Sequence, residues 1–585
     1  SRTSRNVASQ RTSAEAQRRG FRDATTMTPH SLGVHKVLSL LTPAVRPLVN
    51  WNAERRLAAA VNVADVRDAA KARAHKMVFD YLDAGADDEI TLRRNKDAFS
   101  QIELHYRVLA GLKPPLDLST RIMGNDVDVP FFPSPTAGSM MFHRDGEKGV
   151  ARAARSHGAM YCLSTMGTTS PRDVAKALDD MDAKGPRLAV SERRGITRRE
   201  GITNAFPQAS SDSKKGGKLF QLYVWKDRSL VRDLLAQAKD SGFNSLALTV
   251  DLTWYGNRER DTRNGFTVPP AYTLKQMANA ITKPAWTWDF LSSPEYAYAA
   301  LDVAADARLA RRRLSNPDVS DSDFDPDTQE QALPTDRRSQ VSFIRDAFDP
   351  SFSWDDAEWL VNEWGDVGPV ALKGVVRPGD AKTAVERGFD AVWVSNHGGR
   401  QLETAPATID VLPSVRTALG GTKAWVAARR AADAVRKQGG DDAAVARAVA
   451  RDAPAMSVSK RTGLPIEVLL DGGVQRGTDI VKALVLGADG VGLGKPYLYG
   501  LCAGGERGVA KVFDILRDET ERAFGLLGVG SVKEAREASL FASNNDGIWK
   551  DDGIVNEAFV RRRAASARDF PDGGAWARGY GGGVW

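Results

Sequence analysis

Residues Ser395–Gln401 read Ser-Asn-His-Gly-Gly-Arg-Gln at the end of a β-rich run. A histidine titrates near neutrality and so can take a proton from a bound molecule. The glycine pair lets a ligand approach the backbone closely, and an arginine three positions on can grip a carboxylate through two parallel hydrogen bonds. A lone histidine is more often structural; it is the company of Gly398, Gly399 and Arg400 that makes His397 a base beside an anion site. Of the seven histidines, His143, in the first strand-to-helix loop, is the other candidate for an active face.

Other strand ends carry matching chemistry. A fourth strand run stops at Asp251, followed by Arg258, Arg260 and Arg263. An acid there can orient an imidazole and stabilise its protonated form, and it can equally be a helix cap or a surface ion pair. Gln221 and Tyr223 close a third run and can hydrogen-bond a ligand; Lys373, in a fifth, can set a positive charge against an electron-rich ring. Two glycine loops follow, Asp471-Gly472-Gly473-Val474-Gln475-Arg476-Gly477 and Gly492-Leu493-Gly494-Lys495-Pro496. Glycine frees backbone amides to bind phosphate. Base, carboxylate clamp, ring-facing lysine and phosphate loops together imply a phosphorylated cofactor stacked beside a hydroxy- or keto-acid.

The elements that must position these residues are eight apolar β-rich runs: Pro130–Pro135, Ala159–Thr165, Lys218–Val224, Ser245–Asp251, Val370–Val375, Asp390–Asn396, Glu467–Gly473 and Gly490–Gly494. They lack strict alternation, as strands buried on both faces do. Helical patterns sit between them; Asp227–Gly242 opens on an acidic cap and closes on glycine, and Gly379–Gly388 and Thr478–Gly487 also end on glycine. Eight such units predict an α/β fold, a (β/α)8 TIM barrel with its chemistry at the C-terminal strand ends, where the last two loops commonly hold phosphate. A doubly wound sheet is disfavoured because no Gly-x-Gly-x-x-Gly follows the first strand.

The 585 residues divide into a basic leader (1–60), a barrel (61–565) with insertions at about 191–217, 271–349 and 420–462, and a Gly-rich tail (566–585). The leader holds ten Lys/Arg against three acids, a surplus that equals the whole chain's net charge of +7, so the rest is neutral and a nucleic-acid partner is not expected. Arg-rich and acid-poor, it resembles an organellar transit peptide and fits a disordered basic tail equally well. That places the protein in a mitochondrion, with plastid or cytoplasm as alternatives. Two cysteines, Cys162 and Cys502, make neither a disulfide framework nor a multi-cysteine metal site, so no metal is expected and a reducing compartment is. No apolar run approaches the roughly 18 residues of a membrane-spanning helix.

On the motif SNHGGRQL (Ser395–Leu402), backed in order by PTA, FQLYV, LTVD, LKG and LDGG, the chain strongly resembles the FMN-dependent L-2-hydroxy acid dehydrogenase/oxidase family, from about Val61 to about residue 545. The resemblance implies His397 as the base with Asp251 its partner, and Arg400 and Arg258 as the carboxylate clamp, helped by Tyr81 and Tyr223. Met166 and Ala137 would line the substrate pocket. Pro135, Thr136, Ala137, Ser164, Gln221 and Thr249 would cradle the flavin ring, Lys373 would stand at its N1/O2 edge with Ser395 close by, and Asp471 would bind on the ribityl side. Gly473 and Gly494 would form the phosphate loops. The family carries arginine where this chain has Gln475 and Lys495; lysine can hold phosphate as a point charge, glutamine cannot, and Arg476 is the candidate substitute.

The implied activity is FMN-dependent oxidation of an L-2-hydroxy acid, of L-lactate type, to the 2-oxo acid, by an enzyme assembled as a homotetramer. An O2-using oxidase of glycolate oxidase type and a non-catalytic barrel with weakened FMN binding are the alternatives. The electron acceptor expected is O2, cytochrome c or a quinone. The segment around Leu274–Leu291 resembles that of quinone-linked dehydrogenases, which suggests peripheral membrane contact through 271–349.

Overall fold

Each of the eight β-rich runs forms a strand in the computed structural model, which describes residues 34–183, 216–266, 274–293, 298–315 and 347–538. The strands are β1 (Phe131–Pro133), β2 (Tyr161–Ser164), β3 (Lys218–Tyr223), β4 (Ser245–Thr249), β5 (Val370–Val375), β6 (Ala391–Val394), β7 (Glu467–Leu470) and β8 (Gly490–Leu493). All paired neighbours are parallel, in the order β1-β8-β7-β6-β5-β4-β3-β2. The sheet therefore curls into the expected (β/α)8 barrel, with one seam between β1 and β2 that carries no ladder hydrogen bonds. The helix after β3 runs Arg228–Asp240, and its cap is Asp227, whose carboxylate accepts from the amides of Ser229 and Leu230 at 2.9 and 3.0 Å. Such a cap is worth about 1 kcal/mol.

The two-residue period of a strand sorts the barrel interior into layers. The lower layer is apolar: Phe132, Cys162, Leu219, Ala247, Ala371, Trp393 and Leu469 form one buried cluster, plugged from below by Ile122 and Val127 of a hairpin, Thr120–Ile122 with Asn125–Val127. Two residues further along each strand the layer turns polar, with Ser134, Ser164, Gln221, Thr249, Lys373, Ser395 and Asp471 all nearly inaccessible to solvent. Two further still come Thr136, Met166, Tyr223, Asp251, His397 and Gly473, at the mouth. Outward residues such as Phe220, Leu222, Leu246 and Leu248 pack against the helices.

Within the expected leader (1–60), Val34–Ala59 is a helix, with Ala53 and Leu57 buried, while residues 1–33 lie outside the described residues. The insertion at 420–462 is a pair of helices, Gly421–Lys437 and Asp442–Asp452, with its own small core around Trp425 and Val445. Trp425 Nε1 donates to Asp489 Oδ1 at 2.9 Å, tying the pair to the start of β8. Within 271–349 three helices are described, Leu274–Ile281, Pro284–Ser292 and Ala299–Ser315. Nearly all of 191–217 and the whole tail 566–585 lie outside the described residues. Among the described residues no helix is long and apolar enough to cross a membrane, and no group of His, Cys, Asp and Glu is placed to hold a metal ion.

Candidate active site

His397 follows β6 in a left-handed conformation, φ +56°, and Gly398 and Gly399 continue it at +66° and +73°. A side chain at residue 399 would lie 2.6 Å from the Leu92 amide nitrogen, so only glycine fits there. The turn points the imidazole back across the barrel mouth, where Nδ1 lies 2.9 Å from Asp251 Oδ1 at the end of β4. Gly374 makes room for that carboxylate, since a Cβ at 374 would stand 2.7 Å from Asp251 Cβ. Burial alone would raise the Asp251 pKa, but the charges of His397 and Lys373 outweigh it and hold the group below its ordinary range. Asp251 is thus an anion facing one ring nitrogen, and Nε2 engages no described residue while His397 lines the central cavity.

Tyr81 organises the cations. It lies on helix Lys76–Asp83, with its ring stacked on Phe266 at 4.5 Å between centroids. The guanidinium groups of Arg400 and Arg258 lie 5.0 and 5.5 Å from the centre of that ring. Arg400 donates to the carbonyl oxygens of Tyr81 and Ala84 at 2.7 and 3.0 Å, and Lys495 to those of Asp83 and Ala84 at 2.9 and 3.1 Å. Two cations therefore cap the negative end of one short helix. Arg258 is 3.6 Å from Asp261. Loss of hydration, then the neighbouring Arg258, lowers the Arg400 pKa, so the clamp is primed to gain from an incoming anion.

Beneath this layer Lys373 donates to Ser395 Oγ at 2.9 Å and stands 3.6 Å from Asp471 Oδ2. Ser395 in turn donates to Asp471 Oδ1 at 2.6 Å and accepts from the His397 amide at 3.2 Å. Burial works against the Lys373 charge, but Asp471 and Asp251 more than restore it. Ser164, Gln221 and Thr249 form a hydrogen-bonded row across β2, β3 and β4, at 2.8 and 2.9 Å. This row, like Ser395 and Asp251, stands behind the residues that line the cavity rather than in its wall.

The cavity has a volume of about 600 Å³, within the range of ligand sites. Pro135, Thr136, Ala137, Met166, Tyr81, Tyr223, Lys373, His397, Arg258, Arg400, Asp471, Gly473, Gln475, Gly494 and Lys495 all line it. Arg476 does not: it ends on Glu519 at 2.5 Å, on the outside, and so cannot stand in for a cation at Gln475. His143 is buried away from the cavity, with Nε2 2.8 Å from Arg46 and 3.3 Å from Asp289. Sequence reasoning did not name several other residues of the lining. Ser134 donates to Asp471 Oδ2 at 3.2 Å; Lys96 comes from helix Ile90–Ser100; and Leu252, Tyr255, Phe266, Tyr298 and Phe348 make an apolar wall. Only the strand period could have found Ser134, two residues on from inward-facing Phe132.

These residues fit FMN. Lys373, Asp471, Ser134 and Thr136 offer polar atoms at one side of the cavity. Gly494 leaves open space at the start of helix Lys495–Leu527, where a Cβ would meet nothing within 4 Å. A helix start beside glycine suits a phosphate.

Comparison with known proteins agrees with this geometry. The family model described as FMN-dependent dehydrogenase matches residues 70–542. Glycolate oxidase of Spinacia oleracea is 32% identical over 500 residues, covering 86% of this chain and 99% of that protein. 2-Hydroxyacid oxidase 1 of Mus musculus is 30% identical over 473 residues, covering 81% and 94%. The crystal structure of the monotopic membrane protein (S)-mandelate dehydrogenase matches with a TM-score of 0.59 at 26% identity, covering 82% of this chain and 98% of that one.

Proposed function

The chain belongs to the FMN-dependent dehydrogenase family and oxidises a 2-hydroxy acid, and from that premise we propose that it takes an L-2-hydroxy acid to the 2-oxo acid with His397 as the base. The observation that carries this reading is His397 in the cavity wall, backed by Asp251, with two arginines on the neighbouring Tyr81 ring. Arg400 and Arg258 would hold the substrate carboxylate, and Tyr223, whose phenol burial keeps protonated, would donate to it. His397 Nε2 would take the proton from the substrate, and Asp251 would stabilise the imidazolium that results. When bound, FMN supplies the two-electron acceptor. Lys373, Ser134, Thr136, Asp471 and Gly494 would hold it, the buried Lys373 keeping a fixed positive charge in the polar layer.

The apolar wall bears on the substrate. Leu252, Tyr255, Phe266, Tyr298, Phe348 and Met166 face the cavity, and a methyl group would leave most of that surface in water. L-lactate would fill little of that wall, and longer or aromatic side chains suit it better.

A homotetramer is supported by the family resemblance, delivery to a mitochondrion by the Arg-rich stretch before Val34, and membrane contact through 271–349 by the likeness to a monotopic membrane protein. Electrons leave to O2, a cytochrome or a quinone, and comparing turnover with O2 and with an artificial dye separates oxidase from dehydrogenase.

The test of the function is an anaerobic absorption spectrum of the purified protein. A flavin spectrum that bleaches on adding an L-2-hydroxy acid, and not its D-enantiomer, is the expected result. A protein that binds no FMN contradicts the reading.

A further inference from the structure

The glycine-loop end of the cavity holds little uncommitted positive charge among the described residues. Gln475 is neutral, with its side-chain nitrogen on the Val474 carbonyl at 3.0 Å. Arg476 is on Glu519. Lys495 has its ammonium on the Asp83 and Ala84 carbonyls, and loss of hydration, then Arg400, pushes it well below the usual lysine range. A phosphomonoester carries nearly two negative charges at neutral pH, and a cation beside it adds a charge-assisted contact to those of the backbone amides.

One further cation, Lys96, lines the same cavity, and it makes no hydrogen bond or ion pair with any described residue. Its helix, Ile90–Ser100, is clamped onto the glycine loop. A Cβ at Gly473 would lie 2.1 Å from the Asn95 carbonyl oxygen, so the residue before Lys96 is in contact with Gly473. Asn95 and Asn396 exchange side-chain hydrogen bonds at 2.9 and 2.8 Å, and Lys482 donates to the Phe99 carbonyl at 2.7 Å. Lys96 is also near enough to Lys495 for its charge to add to the lowering there.

We infer that Lys96, carried on a helix fixed against Gly473, is the cation that recognises the phosphate of the bound cofactor and supplies the charge that Gln475 lacks. This rests on the FMN reading. It assigns a flavin-specificity role to a residue outside both glycine loops: Lys96 makes the site prefer a phosphorylated flavin over the same ring system without phosphate. A lysine suits the position because its compact charge on a flexible stem can close on a phosphate from the cavity edge.

The experiment measures the equilibrium affinity of FMN and of riboflavin by quenching of flavin fluorescence, for wild type, Lys96→Gln and Lys96→Arg. A charge-assisted contact predicts that Lys96→Gln loses about tenfold or more in FMN affinity. Riboflavin affinity should stay within about twofold, and Lys96→Arg should restore FMN binding. An FMN-to-riboflavin preference unchanged in Lys96→Gln overturns the inference. So does a wild type that binds both flavins equally, while leaving the flavin reading intact. A wild type that binds neither flavin overturns the flavin reading and the inference with it.

Discussion

Asp251 Oδ1 lies 2.9 Å from His397 Nδ1, and His397 holds a left-handed backbone to keep that contact. Such a conformation costs a non-glycine residue about 1–3 kcal/mol. The Ser395 hydroxyl, which accepts from the His397 amide, and the Asp251 carboxylate hold it in place from two sides. The result is an imidazole whose tautomer and direction are set before substrate arrives.

Asp251→Asn keeps the shape of that contact and removes its charge. The rate at which substrate reduces bound flavin should fall by about a hundredfold or more, while KM changes little. Rapid-mixing absorbance reads the rate directly. An unchanged rate would mean that Asp251 merely fills space.

Arg400→Lys tests the clamp. A lysine cannot reproduce two parallel hydrogen bonds to a carboxylate, nor span the Tyr81 and Ala84 carbonyls as the guanidinium does. We expect kcat/KM to drop about ten- to a hundredfold, mostly through KM. A loss confined to thermal stability would reassign Arg400 to capping its helix.

The apolar wall predicts substrate preference. Burying a phenyl or long alkyl group in place of a methyl is worth about 2 kcal/mol, so kcat/KM for (S)-mandelate or L-2-hydroxyoctanoate should exceed that for L-lactate by at least about tenfold. Steady-state assays with the three acids decide it. A preference for lactate would show that Tyr298 and Phe348 close the pocket rather than line it for substrate.

His143 makes a prediction about stability. It is enclosed by Arg46, Arg73, Asp145 and Asp289, and burial first, with the two arginines, pushes its pKa from the ordinary 6.5 down to about 4. Between those values the unfolded chain takes up a proton that the folded one refuses. Stability is therefore full above pH 6.5 and declines as pH falls toward 4, by up to roughly 3 kcal/mol. Urea unfolding across this window should show a flatter pH dependence in His143→Asn than in wild type; equal slopes would refute the assignment.

The barrel and its chemical end were legible because strand period and residue type agree. Leu219, Ala247 and Ala371 read as strand interior, and Gln221, Thr249 and Lys373 follow each at the same two-residue step along the chain. What stayed hidden depends on distant partners. Arg476 looked available until Glu519, on another helix, took it. Tyr298 and Phe348 belong to the stretch 271–349, which read as an insertion outside the barrel, yet Phe348 is buried against Tyr223 and Trp225, with ring centres 5.3 and 5.1 Å away. Helix Val34–Ala59 was masked by Pro43 and Pro47, residues that argue against a helix interior, and by a basic composition that reads as a leader.

The most direct test of the central claim is anaerobic mixing of the His397→Gln variant with an L-2-hydroxy acid that reduces the wild-type flavin. The account predicts a variant that keeps its flavin spectrum and shows no bleaching on the wild-type timescale, with substrate still bound. Bleaching at a rate near wild type would contradict His397 as the base.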